Sequence, residues 1–417
     1  MEENKSYKST RYSIDGHHHG LFIKEARLRK GYRLVEVAEE ICDTSYLCKI
    51  ESGALIPPPG LFSKLVEKLE IQFPSEVRTC HIGIFRKALY QGDLSKITSS
   101  LKTDTFHHYE IQMLTFFQAV INHELPKAFT LKKMIDQFYH HFDLKEQQIY
   151  LLFSGIYFFK SFEWEQGKTY FEKSLELTHQ IQEEDPYLYF ELAKYYFQMQ
   201  KGCLGFSYLE RATTEFKKIY EKGWVFRCGI LWCKESMKND DVKNIEKRLE
   251  ELRKIIDPCE NSLQWSYFFN ILGMIYEKRG QDIQAEEYYT KSIEPRSDEI
   301  NEEFIIDAIK FHYRRQNSDQ MIKLIERLDL KSLSARSRIL VDFYYFKITD
   351  ETSEYFERFL RKDAIPFAMK ALDPQNALLY TKELAKYHRN KLCHKKGVDA
   401  YYKWEKFCEE WNLTGMI

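Results

Sequence analysis

The sequence has 417 residues, too many for one ordinary compact core, so several domains or a repeat architecture are required. Charged residues make up 30% and hydrophobic ones 44%, and the net charge of −1 gives no global hint of nucleic acid. Gly (17) and Pro (10) are too scarce for a fold of many strands and turns, and nine cysteines without a C-x-x-C pair argue against a disulfide framework and for reduced thiols in a cytosol.

Residues 1–20 form a polar arm. Its opening, MEENKSYKST, lacks the apolar stretch of a signal peptide, and no apolar run is long enough to span a bilayer. The expected place is therefore the cytoplasm, away from membranes. His17, His18 and His19 are consecutive on the arm; they cannot preorganise a closed metal site and read as a solvated tail. Leu21–Lys30 reads as a helix that Gly31 stops. Leu34, Val37, Ala38 and Ile41 mark the inner face of a second helix, which Asp43-Thr44-Ser45 interrupts. A third helix follows with Leu47 and Ile50 inward, Asp43 or Thr44 as N-cap and Gly53 as C′ residue. Two short helices joined by a tight polar turn are the core of a helix-turn-helix, whose second helix would enter a major groove. Pro57-Pro58-Pro59-Gly60 breaks the chain, Leu61–Leu69 is a further amphipathic helix, and Pro74 closes a first domain over residues 21–73. Between Leu21 and Phe73 eight bases face eight acids. Five of those bases fall between Lys24 and Arg33 against one acid, Glu25, so only their distribution favours DNA.

Residues 74–417 read as consecutive helix pairs. In one segment Gly155 and Phe158 precede Gly167, Phe171 and Ser174; in a second, Ala193 and Tyr196 precede Gly205, Leu209 and Ala212; in a third, Gly273 and Tyr276 precede Ala285, Tyr289 and Ser292. In each, the small residue of the first helix lies twelve before that of the second (167−155, 205−193, 285−273). Small residues there let two antiparallel helices approach closely, which is the pattern of a tetratricopeptide repeat. Trp265–Pro295 is its clearest copy, with Gly280 at the turn; weaker copies fall at about 80–101, 109–142, 222–256, 303–328, 335–360 and 378–411. The expected fold is all-α, an N-terminal helix-turn-helix domain followed by a right-handed tetratricopeptide solenoid.

With these residues in hand, the chain resembles the helix-turn-helix regulators of Gram-positive bacteria that carry a C-terminal tetratricopeptide array, the peptide-pheromone-sensing group often called Rap/Rgg/NprR/PlcR/PrgX. The resemblance is sharpest over Ile41–Gly53, ICDTSYLCKIESG, which is similar to the group's Ile-Cys-Ser-x-x-Tyr-Leu-Ser-Lys-Ile-Glu-x-Gly. Leu34 departs from it, standing where many such domains have a phosphate-contacting Gln, and Asp43 replaces the usual cap Ser. The resemblance implies a quorum-sensing transcriptional regulator that binds double-stranded DNA and a short secreted signalling peptide, and that forms homodimers. Carried over residue by residue, Thr44, Ser45, Tyr46 and Lys49 would face the groove, and Arg27, Lys30 and Arg33 would approach phosphates. Each is otherwise an ordinary surface residue; Glu51 reads as the partner of an internal ion pair.

For the peptide, the first helix of each repeat would line the concave surface. That places Tyr267, Asn270, Met274, Glu277 and Lys278 inward in the third segment, and Phe190, Lys194, Phe197 and Gln198 in the second. Asn270 is the most informative, because an amide donates and accepts at once and can pair with a peptide backbone as a strand edge does. His312 and Tyr313 extend the face, followed by Lys382, Lys386 and Arg389; the bases around Lys386 would receive a peptide carboxylate. The plain alternative for all of these is a polar residue tolerated on a solvated groove.

No phosphate-cradling loop, H-E-x-x-H, zinc-type Cys pair or G-x-S-x-G elbow occurs. His107-His108 and His140-His141 each point to opposite helix faces, and no cofactor or enzyme activity is expected. Two rival readings are a tetratricopeptide protein-interaction module, and a Rap-like modulator of response regulators in which Gln147 would take the active role, both with weak or no DNA binding.

Overall fold

A computed structural model describes residues 19–71, 81–91, 109–238, 241–256, 262–294, 302–330 and 333–411. Most of the polar arm with His17 and His18, Pro74 and His107-His108 lie outside the described residues, as do the side chains of His140 and His141. The described chain is all-helical, with no strand. It divides into two units, Met1–Leu188 and Tyr189–Ile417.

The first unit opens with α1 (His19–Arg29), α2 (Leu34–Ala38), α3 (Thr44–Glu51) and α4 (Pro59–Lys68). Ile23, Ala26, Val37, Ala38, Leu47, Ile50, Leu65 and Leu69 form their common core. The Asp43 carboxylate accepts the Ser45 N–H at 2.8 Å and so caps α3, satisfying one of the helix's orphan donors. At the other end Gly53 takes a left-handed φ of +74°, the usual C′ conformation. The second helix is shorter than its apolar pattern suggests. The Ile41 and Cys42 N–H groups both turn back to the Ala38 carbonyl (3.0 and 2.9 Å), so Ile41 packs on the core from the turn rather than from a helix.

Beyond α5 (His81–Gln91) the chain runs in helix pairs. In the first unit they are α6 (Tyr109–Ile121) with α7 (Leu125–Ile135), then α8 (Leu144–Lys160) with α9 (Trp164–Ile181). Helix α10 (Pro186–Gln198) carries the boundary between the units and is followed by α11 (Gly202–Lys218). The second unit continues with α12 (Lys222–Met237) and α13 (Val242–Arg253), α14 (Ser262–Lys278) and α15 (Asp282–Ile293), and α16 (Glu302–Arg314) and α17 (Ser318–Glu326). Next come α18 (Ala335–Thr349) and α19 (Glu354–Phe359), a π turn at Leu360–Ala364, α20 (Ile365–Lys370), and the last pair, α21 (Pro374–Asn390) and α22 (His394–Glu410).

The small residues work as their spacing suggests. A Cβ on Gly155 would lie 2.7 Å from the Phe171 ring, and one on Gly273 would lie 3.0 Å from Tyr289, so each pair is closed by an aromatic seated on a glycine. The last pair has the same twelve-residue step, Ala385 to Gly397, which its weaker sequence match concealed. The turns inside the pairs also repeat. His123, Phe162, Gln200, Gly280, Gln316 and Leu392 all adopt left-handed φ between 56 and 68°. At Gln316, its own N–H reaches the Tyr313 carbonyl and the next N–H, of Asn317, reaches His312, both at 3.0 Å. These are the two reverse bonds of a Schellman motif. Only Gly280 is the residue type that announces such a turn.

A buried cation stabilises the first unit's array. The Lys132 ammonium donates to Asp136 (3.0 Å) and to the Tyr150 and Tyr170 hydroxyls (3.3 and 3.2 Å). It also lies 4.9 Å from the Tyr170 ring centroid. A buried charge is tolerated only with such partners.

Candidate functional site

The candidate residues fall on two surfaces, one in each unit. On α3, Ser45 and Lys49 are exposed, while Thr44 and Tyr46 are half-buried. The Tyr46 ring packs its inner edge on the helical core, and the Ser45 hydroxyl donates to the Asp43 carboxylate that caps the helix. Arg33 stands exposed where α2 begins. Lys30 is held by Glu70 at 2.6 Å; Glu70 is 80% exposed, so this pair costs little to break.

Arg27 must be corrected. Its Nε and Nη2 donate to the two Glu51 carboxylate oxygens at 2.7 and 2.8 Å, and its Nη1 donates to the Tyr32 carbonyl. Both partners are buried, so Arg27 is a bidentate internal tie between α1 and α3 and offers nothing to a phosphate. Glu51 takes the internal role its sequence context indicated. A neighbouring base, Lys24, is also committed: its ammonium donates to the Gln137 carbonyl at 2.9 Å and lies 5.3 Å from the Phe138 ring centroid. That contact docks α1 on the 3-10 turn Asp136–His141. Gln147, the residue of the phosphatase-like reading, spends its amide on the Phe142 carbonyl at 2.8 Å.

In the second unit the first helices α14 and α16 meet through a row of aromatic and polar side chains at a constant offset. Tyr267 meets Phe304 edge-on at 4.8 Å, Asn270 donates to Asp307 at 3.4 Å, and Glu277 pairs with Arg314. Each step spans 37 residues (304−267, 307−270, 314−277). Arg336 and Asp373 repeat the step at 2.5 Å. Around this row, Lys234 pairs with Glu303 at 2.6 Å and lies over the Tyr267 ring, Lys310 donates to Asp307 at 3.1 Å, and the Tyr289 hydroxyl donates to Glu277 at 2.8 Å. Burial first, then Glu277, pushes the Tyr289 phenol far above its ordinary range. Asn270 is fully buried in the row, and its Oδ1 has no hydrogen-bond partner.

Of the expected peptide residues, the structure brings Tyr267, Asn270 and Glu277 together on this row. Met274 is half-buried against the apolar cluster beneath it. Lys278 is exposed and donates to the Met237 carbonyl at 2.5 Å. Phe190 is half-buried edge-on to Trp224 at 5.4 Å, and Lys194 pairs with Glu191 at 2.9 Å. Phe197 is a correction: it is buried against Phe206 at 5.0 Å and fills the space over Gly205, so it closes its own helix pair. His312 is a second: it is buried edge-on to Phe311, and burial lowers its pKa. Tyr313 faces Tyr344 at 5.0 Å. Gln198 is engaged elsewhere, donating to the Ala371 and Leu372 carbonyls.

Lys386 is exposed and lines a cleft of about 240 Å³ with Glu351, Glu383, Tyr387 and Lys391. The bases there are matched by acids. Burial works against the Lys347 ammonium, yet Glu351 at 2.5 Å and Glu383 at 2.8 Å hold its pKa above the ordinary lysine value, and Lys386 lies 3.8 Å from Glu351. The expected basic receptor for a carboxylate is therefore an ion-pair network.

Sequence reasoning missed Phe304, Asp307 and Arg314. Their signal was present: adding the 37-residue pair length to Tyr267, Asn270 and Glu277 reaches all three. Among the described residues no cluster of His, Cys, Asp or Glu is arranged to hold a metal ion, and no helix is long and apolar enough to cross a membrane.

No family model matches the sequence, and no curated protein matches it. Solved structures do. NprR in complex with its cognate peptide NprX superposes with a TM-score of 0.62 at 15% identity, covering 81% of this chain and 100% of that one. The apo form of the quorum sensor NprR from B. thuringiensis gives 0.57 at 16% identity, over 78% and 97% of the two chains. A Rap protein complexed with Competence and Sporulation Factor gives 0.56 at 11% identity, over 79% and 96%. The chain thus has the tetratricopeptide solenoid fold of these peptide-sensing proteins.

Proposed function

We propose that the chain is a peptide-responsive transcriptional regulator, cytoplasmic and homodimeric, with no catalytic activity of its own. DNA would be read by Thr44, Ser45, Tyr46 and Lys49 of α3, with Arg33 and Lys30 on adjacent phosphates. A short peptide would lie along the row of first helices in the second unit. The observation that carries this reading is Asn270, a fully buried amide whose Oδ1 lacks a partner, in a fold shared with NprR, which was solved in complex with its cognate peptide NprX. An unsatisfied buried acceptor costs about 1–3 kcal/mol, a cost that a peptide N–H would remove where α14 and α16 part to admit it. The balanced charge of α1–α4 makes binding by one copy weak, and pairing two copies would set the spacing of their recognition helices on DNA.

Fluorescence anisotropy with the DNA upstream of its own gene tests the first part. The double variant Tyr46→Ala, Lys49→Ala should lose affinity, and the salt slope should fall by about one per phosphate contact removed; absence of binding at any salt concentration would sink the DNA role. For the peptide, Asn270→Ala should retain less of an equimolar pool of random heptapeptides while binding DNA as before. Unchanged retention removes Asn270 from the site.

A further inference from the structure

Gln198 ends α10, the first helix of its pair, and its side-chain amide reaches far along the sequence. Its Nε2 donates to the Ala371 carbonyl at 2.7 Å and to the Leu372 carbonyl at 2.8 Å, 173 and 174 residues away and in the same unit. Between these points lie α11, the α12–α13, α14–α15 and α16–α17 pairs, and α18, α19 and α20. A straight stack of helices about 10 Å apart could not bring its ends into hydrogen-bond contact, so the second unit bends back on itself and this contact joins the two ends of the bend.

The receiving segment is irregular. It follows the π turn at Leu360–Ala364, and such turns mark places where a helix has been adapted. Leu372 holds a left-handed φ of +48° where glycine is the usual choice. The Leu372 N–H reaches the Met369 carbonyl at 3.1 Å and the Asp373 N–H reaches Ala368 at 2.9 Å, so the turn's own donors are used within it. Its carbonyls, on residues only 3% and 2% exposed, are helix-end acceptors that need a donor from outside. That turn conformation sends two consecutive carbonyls to one amide. Gln198, meanwhile, is anchored independently, since Phe197 beside it is locked in its own pair by Gly205 and Phe206.

We propose that Gln198 and the Ala371–Leu372 turn form a releasable clasp that closes the second unit, and that an extended peptide entering along the first helices competes with it. This rests on the peptide-binding reading above. Each half keeps its own packing when the amide lets go, and two neutral hydrogen bonds exchanged for water shift an open–closed ratio on the order of tenfold. The clasp also occupies the amide that would otherwise face the peptide.

Hydrogen exchange on the full chain, without ligand, tests the clasp. Gln198→Ala and Gln198→Glu, the second of which sets a carboxylate against the carbonyls, should both speed exchange in residues 368–376 by about fivefold or more. Residues 282–293 should exchange unchanged. No acceleration in either variant overturns the clasp. Retention of the random heptapeptide pool tests the competition: Gln198→Ala should retain about fivefold more than the parent chain, because opening no longer has to be driven by the ligand. Faster exchange with equal or lower retention makes the contact a structural tie and overturns the proposal, as does slower exchange in 368–376 when the parent chain binds the pool. If neither protein retains peptide, the peptide reading fails, and the exchange result alone decides whether the resting unit is closed by Gln198.

Discussion

At Gly155 a Cβ would sit 2.7 Å from the ring of Phe171, itself fully buried, whereas at Gly397 the nearest heavy atom, the Ala385 Cα, is 3.5 Å away. Gly155 is the first-helix member of its twelve-residue step and Gly397 the second-helix member of the last one, and packing gives them opposite tolerances. Replacing a helix-interior glycine by alanine gains about 0.5–1 kcal/mol, while overpacking a closed core costs about 1–3 kcal/mol. Gly155→Ala should therefore destabilise the chain and Gly397→Ala should stabilise it, read as opposite shifts of the urea midpoint. Arg27 shows the same separation for charge. The resemblance implied a phosphate contact, but whether a base is spare depends on the carboxylate that folds back against it, here Glu51 from 24 residues away. Helical spacing cannot show such a partner.

The helix pair is the unit in which most of the fold was readable. The weaker copies expected at 109–142, 222–256, 303–328 and 378–411 coincide with pairs, because apolar periodicity survives where the small residues do not. What periodicity could not reveal were the turns. A Schellman turn asks for one left-handed residue, and the two reverse hydrogen bonds are enough to hold a Gln, Phe or His there in place of glycine. That substitution is strained by about 1 kcal/mol. Gln316 is exposed and left-handed at φ +56°, so Gln316→Gly should raise stability by about that amount, seen as a higher unfolding temperature. An unchanged temperature would mean that the turn carries no such strain. The ladder of first helices was legible in half: Tyr267, Asn270 and Glu277 were found, and their partners one pair later required the 37-residue step.

At the scale of the whole molecule, stability should depend on pH through buried imidazoles. Burial lowers the pKa of both His312 and His388, and for His388 it outweighs the opposing pull of Glu357 at 3.7 Å. A lowered folded-state pKa means that the unfolded chain takes up protons first. The stabilising contribution is then complete above the ordinary imidazole value of about 6.5 and is lost as the pH falls through the lower folded-state values. Urea unfolding should give a smaller free energy at about pH 5.5 than at about pH 7.5, and His312→Gln should flatten that dependence. A dependence that His312→Gln leaves untouched would assign it to other groups.

The sequence by itself determined the all-α class, the short capped helices at the start and the in-phase pairs behind them, because caps, small-residue spacing and apolar period act within a few turns of one another. It also indicated the internal role of Glu51. Only the tertiary structure decided which candidate side chains are spare. Arg27 is consumed by Glu51, His312 and Phe197 by packing, and Gln198 by carbonyls 173 and 174 residues away. The Arg27 and Gln198 contacts join distant segments, and the burial of Phe197 and His312, like all partner geometry, exists only once the helices have stacked.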